Sequence, residues 1–150
     1  AVTIGLRAAR ALDAGQAGDI LHECNRGADW MPDLHSAAET IGFCGTMIDR
    51  GWVTVAVRNR RVIGFLARDG VDICGLYLRP GETGQGVGKR LLDAAKAESA
   101  YLQLWAFQAN DRAQRFYARE GFVEIARSDG AANDEMLPDV QMIWRRENGK

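Results

Sequence analysis

From Pro80 to Ala94 the chain reads Pro-Gly-Glu-Thr-Gly-Gln-Gly-Val-Gly-Lys-Arg-Leu-Leu-Asp-Ala, a glycine-rich stretch that runs straight into helical spacing. Val87, Leu91, Ala94 and Ala95 fall on one face of a helix. The preceding stretch Val71–Leu78 is strand-like, with Gly75 inside it marking a bulge or a close backbone approach. A helix N-terminus presents unpaired N–H groups and partial positive charge. Glycines let an anion reach those groups without side-chain obstruction. A strand–glycine loop–helix unit of this kind is expected to cradle a phosphate or pyrophosphate.

The spacing rejects two of the folds that use such loops. A P-loop needs GxxxxGK[ST], but counting back from Gly88-Lys89 puts Thr83 at the first glycine, and Arg90 stands where Ser or Thr should hold magnesium. A dinucleotide fingerprint needs GxGxxG. From Gly84 the third glycine falls on Lys89, and from Gly86 on Leu91. Glycine is the one compositional outlier, 17 of 150 residues, about 11% against a usual ~7%. Gly51, Gly70 and Gly121 read as ordinary caps and turns.

Periodicity supplies the remaining elements. Val2–Ala8 alternates like a strand. Leu12–Asn25 carries Leu12, Ala17, Ile20, Leu21 and Cys24 at roughly helical spacing, and Ser36–Arg50 is a second helix. Arg26–His35 between them is a loop centred on Trp30 and Met31. Trp52–Val57 and Val62–Arg68 form a hairpin across the polar turn Arg58–Arg61, followed by Val71–Leu78. After the glycine-loop helix come a strand at Tyr101–Gln108 and a short helix capped by Asn110 and stopped by Gly121. Phe122–Arg127 and Gln141–Arg145 close the chain as strands. Trp105 is expected in the core.

A second motif stands about 24 residues beyond Gly86: Asn110-Asp111-Arg112-Ala113-Gln114-Arg115-Phe116-Tyr117-Ala118-Arg119-Glu120-Gly121-Phe122. It resembles the NxxAxxFYxxxGF signature of the GNAT N-acetyltransferase superfamily. The glycine loop resembles that superfamily's [RQ]xxGx[GA] acyl-coenzyme A motif, with Gly86 and Gly88 at the glycine positions and Thr83 departing from the usual Arg or Gln. The resemblance covers roughly Thr3 to Trp144. It implies an α+β fold, a mixed sandwich, in which a central, mostly antiparallel sheet of about seven strands splays after the fourth. About four helices flank the sheet, in a single domain over residues 1–150.

The resemblance also implies residue roles. Acetyl-CoA would lie in the V-shaped gap as cosubstrate, its pantetheine paired with backbone groups of Leu76, Tyr77 and Leu78. A backbone N–H near Leu78 would polarise the thioester carbonyl. The pyrophosphate would rest on Thr83, Gly84, Gln85, Gly86, Val87, Gly88 and Lys89. Asn110 and Phe116 belong to the same cofactor-binding set, although Asn110 also reads as a plain helix cap. Tyr117 is taken as the acid that meets the leaving thiolate, with an amphipathic core tyrosine as the alternative. The base stays open among Asp72, Glu135, Asp139, His35 and water, with Asp72 near its strand start and far from the splay.

The acceptor side falls to Trp30, Met31, Glu135 and Asp139, an aromatic–apolar wall with carboxylates that suits a cationic amine. The competing reading is packing for Trp30 and a solvated loop for the acids. The expected reaction is acetyl transfer from acetyl-CoA to a primary amine of a small molecule or peptide. O-acyl or longer-chain transfer and a non-catalytic acyl-CoA sensor are the alternatives. A net charge of -1 argues against nucleic-acid binding, and Arg58–Arg61 reads as a solvated turn. No apolar run approaches a membrane span and the N-terminal stretch lacks signal-peptide features, so a cytoplasmic protein is expected. Three scattered cysteines, Cys24, Cys44 and Cys74, read as reduced, buried hydrophobes, and no metal is expected. A homodimer is compatible with the chain.

Overall fold

The computed structural model describes residues 3–146, so Val2 of the expected first strand lies outside the described residues. The strands are β1 (Gly5–Ala8), β2 (Val53–Arg58), β3 (Arg61–Asp69), β4 (Asp72–Leu78), β5 (Tyr101–Phe107), β6 (Val123–Ser128) and β7 (Asp139–Arg145). The helices are α1 (Ala14–Arg26), α2 (Ala37–Asp49), α3 (Val87–Glu98) and α4 (Asp111–Arg119). All seven strands join one sheet in the order β1-β2-β3-β4-β5-β7-β6, antiparallel except where β4 meets β5. This is the mixed seven-stranded, four-helix architecture expected from the sequence.

Local chemistry accounts for the elements. Ser36 caps α2 by accepting the Glu39 N–H at 3.1 Å while the Glu39 carboxylate accepts the Ser36 N–H at 3.0 Å, a reciprocal capping box. Asn59 and Arg60 both adopt positive φ, 52° and 65°, which gives the two-residue turn of the β2–β3 hairpin. The unbroken apolar run in β3, Val62 to Ala67, is buried because helices cover both faces of that strand. Ala17, Ile20 and Leu21 of α1 pack with Cys44, Met47 and Ile48 of α2 against Val55 and Phe65. On the opposite face, Leu91, Leu92 and Ala95 of α3 and Tyr117 of α4 pack against Ile63, Leu66, Leu102 and Val140.

Three expectations change. Leu12 lies in a short 3-10 turn ahead of α1 and is almost fully exposed, because the helix begins two residues later. Trp105 is not core but about half exposed, since α1 and α2 cover the β2–β4 half of the sheet and no residue of β5, β6 or β7 joins their cluster. Of the cysteines, Cys44 is buried, but Cys24 is half-buried and Cys74 exposed.

Cys74 is exposed because it is the extra residue of a bulge: Ala67 pairs with Gly75 and Arg68 with Ile73, which leaves Cys74 unpaired. Gly75 is required beside it, since a Cβ there would collide with the Tyr77 ring. That ring is itself held against Phe65, with centroids 5.5 Å apart.

Gly75→Ala should therefore cost about 1–3 kcal/mol, read as a lowered urea midpoint with unchanged slope. A second expectation concerns Asp13, which is buried and accepts from the Arg7 guanidinium at 2.7 and 3.0 Å and from the Arg10 N–H at 2.7 Å. The Arg7 hydrogen bonds hold its carboxyl below the ordinary value. A depressed carboxyl stabilises fully above about pH 4 and loses that contribution as pH falls through the native value. Asp13→Asn should flatten the acid limb of stability measured by urea titration between about pH 5 and pH 2.

Candidate active site

β4 and β5 run parallel, and among the described residues their register joins a single pair, Asp72 with Gln103. The Gln103 N–H donates to the Val71 carbonyl at 2.9 Å, and its side-chain amide donates to Asp72. Beyond this closed end the two strands diverge. Asp72 thus sits at the apex of the V, as its place near the strand start implied, and its carboxylate is already engaged.

The register also says which β4 groups face the gap. The Arg79 N–H donates to the Ile63 carbonyl at 2.7 Å. In an antiparallel ladder bonded and non-bonded pairs alternate, so Tyr77–Phe65 is a bonded pair, while Leu78–Gly64 and Leu76–Leu66 are not. The N–H and C=O groups of Leu76 and Leu78 therefore point to the other edge, into the gap. Tyr77 corrects the expectation: its backbone is turned toward β3, and its side chain occupies the α1/α2 face. The outward Leu78 carbonyl accepts the Cys24 thiol of α1 at 3.2 Å.

The glycine loop crosses from the end of β4 to α3. Gly81, Gly84 and Gly86 all have left-handed φ, 92°, 78° and 81°, and Gly86 caps the helix. A Cβ built at Gly84 or Gly86 meets no heavy atom within 4 Å, so the loop's outer side is open. The first helical bond runs from the Arg90 N–H to the Gly86 carbonyl, which leaves the Val87, Gly88 and Lys89 N–H groups as the unpaired donors of the helix start. These donors and the strand edge of Leu76 and Leu78 match the hydrogen-bonding character of a pantetheine diphosphate. Thr83 is exposed. The Lys89 ammonium is paired with Glu120 at 3.1 Å and Asp93 at 3.3 Å, so its backbone rather than its charge is on offer.

Sequence reasoning missed what holds this loop. Arg58, read as part of a solvated turn, is the last residue of β2. Its guanidinium clasps both oxygens of Glu82, a buried carboxylate inside the loop, and donates to the Gln85 side chain at 3.3 Å. The available signal was a lone acidic residue among glycines expected to bind an anion, which demands a cation from elsewhere.

Across the gap, Asn110 caps α4 by accepting the Ala113 N–H at 3.1 Å. Gln114 donates to the carbonyls of Phe107 and Gln108 at 3.1 and 2.9 Å and fixes the turn. Phe116 lies beside Gly88, where a Cβ would meet its ring at 3.5 Å. Tyr117 is buried, edge-on to Phe116 and Phe122 with centroids 5.2 and 5.3 Å away. The Tyr117 hydroxyl has no hydrogen bond to the described residues. Burial, reinforced by the Tyr77 phenol, raises its pKa well above the ordinary tyrosine value. Burial likewise pushes Tyr77 up to about 12, with Cys24, Cys44, Glu135 and Cys74 adding to the shift.

A cavity of about 210 Å³ opens beside this gap, lined by His22, Arg26, Met31, Asp33, His35 and Glu135 among others. Met31 and Glu135 were expected on the acceptor side, and His35 among the candidates for the base. His22 was not, although its i,i+4 relation to Arg26 on α1 places both on one helix face. Trp30 points instead at Phe107 of β5, centroids 5.6 Å apart, and so bridges the two arms of the V. Asp139 is corrected: its carboxylate is buried, accepts from Ser128 and from Asn133 at 3.3 Å, and ties down the β6–β7 connection. Among the described residues no group of three or more His, Cys, Asp or Glu could hold a metal ion, and no helix is long and apolar enough to cross a membrane.

Comparison with known proteins agrees with this fold. The solution structure of apo YjaB from Escherichia coli superposes with a TM-score of 0.81 at 21% identity, covering 97% of this chain and 99% of that one. The structure of yncA from Salmonella typhimurium with acetyl-CoA gives a TM-score of 0.71 at 18% identity, covering 99% and 96%. In sequence, the peptidyl-lysine N-acetyltransferase YjaB of Salmonella typhimurium (strain LT2) is 29% identical over 93 residues, 62% of this chain. That match spans 63% of the relative, less than two thirds of its length. The family model described as acetyltransferase (GNAT) domain matches residues 37–124, more than half of the chain. The chain belongs to the GNAT acetyltransferase family.

Proposed function

We propose that the protein transfers an acetyl group from acetyl-CoA to a primary amine, and that the acceptor is the side-chain amine of a lysine in a peptide. The observation that carries the reading is the continuity of two features along one strand–loop–helix unit: the outward backbone of Leu76 and Leu78 and the open helix start at Val87–Lys89. Acetyl-CoA, when bound, supplies an acyl group already activated as a thioester.

The chain's own groups divide the remaining work. The Leu76 and Leu78 N–H groups are donors aimed at a carbonyl held along β4, an oxyanion-type contribution. Tyr117 holds a proton throughout the neutral range, because burial keeps its phenol un-ionised, and delivers it to the departing sulfur. The cavity beside the gap admits a narrow, flexible chain, and Asp33 and Glu135 favour a cationic head. Attack requires a neutral amine, and His22, His35 and Glu135 share that cavity as acceptors for its proton. The apex position of Asp72 and the pairing of Asp139 leave them no such part. Lysine as acceptor also draws support from the peptidyl-lysine activity named for the Salmonella relative.

An acceptor screen that monitors free-thiol release from acetyl-CoA should show turnover with lysine-containing peptides above that with hydroxyl acceptors. Thermal melts should rise with acetyl-CoA. The absence of stabilisation by any coenzyme A species would overturn the reading. In the same assay Tyr117→Phe should lower kcat by about 10²-fold or more while the melting temperature stays close to wild type. Retention of full turnover would remove Tyr117 from the acid role.

A further inference from the structure

The loop that offers its N–H groups to an anion is, by its own composition, poorly suited to hold them still. Three of the seven residues from Pro80 to Gly86 are glycines with left-handed φ. Each has more backbone freedom to lose than any other residue type. Thr83, between two of these glycines, is exposed. The polar side chains left in the loop are Glu82 and Gln85, and Arg58 takes both.

Arg58 is well placed for this. The Asn59–Arg60 turn folds the β2–β3 hairpin so that its tip lies alongside the end of β4. Arg79 reinforces the junction by donating its guanidinium to the Val62 carbonyl at 2.9 and 3.1 Å, while its own carbonyl accepts the Glu82 N–H at 2.9 Å. Glu82 is therefore gripped at both its backbone and its buried carboxylate. A surface ion pair between flexible side chains would contribute little. A two-pronged clasp on a buried carboxylate is directional and fixes the segment that carries it.

We infer that Arg58 and Glu82 are positioning residues for the cosubstrate's diphosphate: their ion pair pre-organises the glycine loop so that its N–H groups already face the anion. The hairpin thus supports the loop from β2, outside the loop's own sequence. The pair is expected to act on the diphosphate end of the cosubstrate and not on the thioester, because its hydrogen bonds go to the glycine loop and none goes to Leu76 or Leu78. The inference rests on the acetyl-CoA reading of the gap.

The test compares acetyl-CoA with acetyl-pantetheine, which carries the same thioester without diphosphate or nucleotide. Removal of one partner would strand a buried charge and threaten the fold. The decisive variant is therefore the double replacement Arg58→Ala with Glu82→Ala, with Arg58→Lys as the conservative companion. Calorimetric titration with CoA should show the double variant on the order of tenfold weaker than wild type, with Arg58→Lys between them. The ratio of kcat/KM for acetyl-CoA over acetyl-pantetheine should fall by about the same factor, with the loss in KM for acetyl-CoA and not in kcat. Unchanged CoA affinity would overturn the inference. So would equal losses with both thioesters, the mark of a general structural defect. A wild-type protein that binds no CoA would instead overturn the acetyl-CoA reading, and the inference with it.

Discussion

The molecule depends on a sheet that is held together at one point and then allowed to part. Asp72 and Gln103 pin β4 to β5 at the apex, and beyond that pair the strands separate. Exposed strand edges with unpaired N–H and C=O groups carry a cost in any protein. Here the cost is contained because the rest of β4 is secured from behind. It pairs with β3, the strand buried on both faces, and β3 is sandwiched between the α1/α2 layer and the α3 layer. The two helical layers would close over a flat sheet. The bulge at Cys74, with Gly75 making room for the Tyr77 ring, turns the strand at the place where the arms must open.

Around this opening, charges are arranged to stay fixed. Asp13 is locked by Arg7, Glu82 by Arg58, and Asp139 by Ser128 and Asn133. Each is a buried carboxylate with its oxygens committed, and each stabilises a connection that borders the gap or the sheet edge. The carboxylates that line the cavity beside the gap, Asp33 and Glu135, are more exposed than these. Structural acids and candidate working acids therefore occupy different environments in the same small chain.

Most of the element order is legible in the sequence, because helix and strand periodicities are local and the caps at Ser36 and Asn110 are chemically explicit. The glycine loop and the Phe116-Tyr117 motif are legible for the same reason. What escapes is whatever depends on partners distant in the chain. Trp105 looks like a core residue until it is known which half of the sheet the helices cover. Arg58 looks like a solvated turn until the loop 24 residues later is folded beside it. Asp139 and Glu135 look alike in one acidic segment, but strand pairing draws the first inward and leaves the second facing a cavity. The direction of the Tyr77 backbone is set by ladder parity, which a single bulged residue reverses.

The contact between Cys24 and the Leu78 carbonyl has a consequence for how the gap behaves when nothing fills it. A thiol is among the weakest hydrogen-bond donors a protein owns. It is enough to spare the carbonyl from being orphaned at a half-buried edge, yet it binds that oxygen too loosely to keep it. An amide N–H arriving along β4 would form a better bond at the same atom, and the thiol would return to the apolar surroundings that suit it. The thiol thus partners the edge without holding it so tightly that a stronger donor could not take its place.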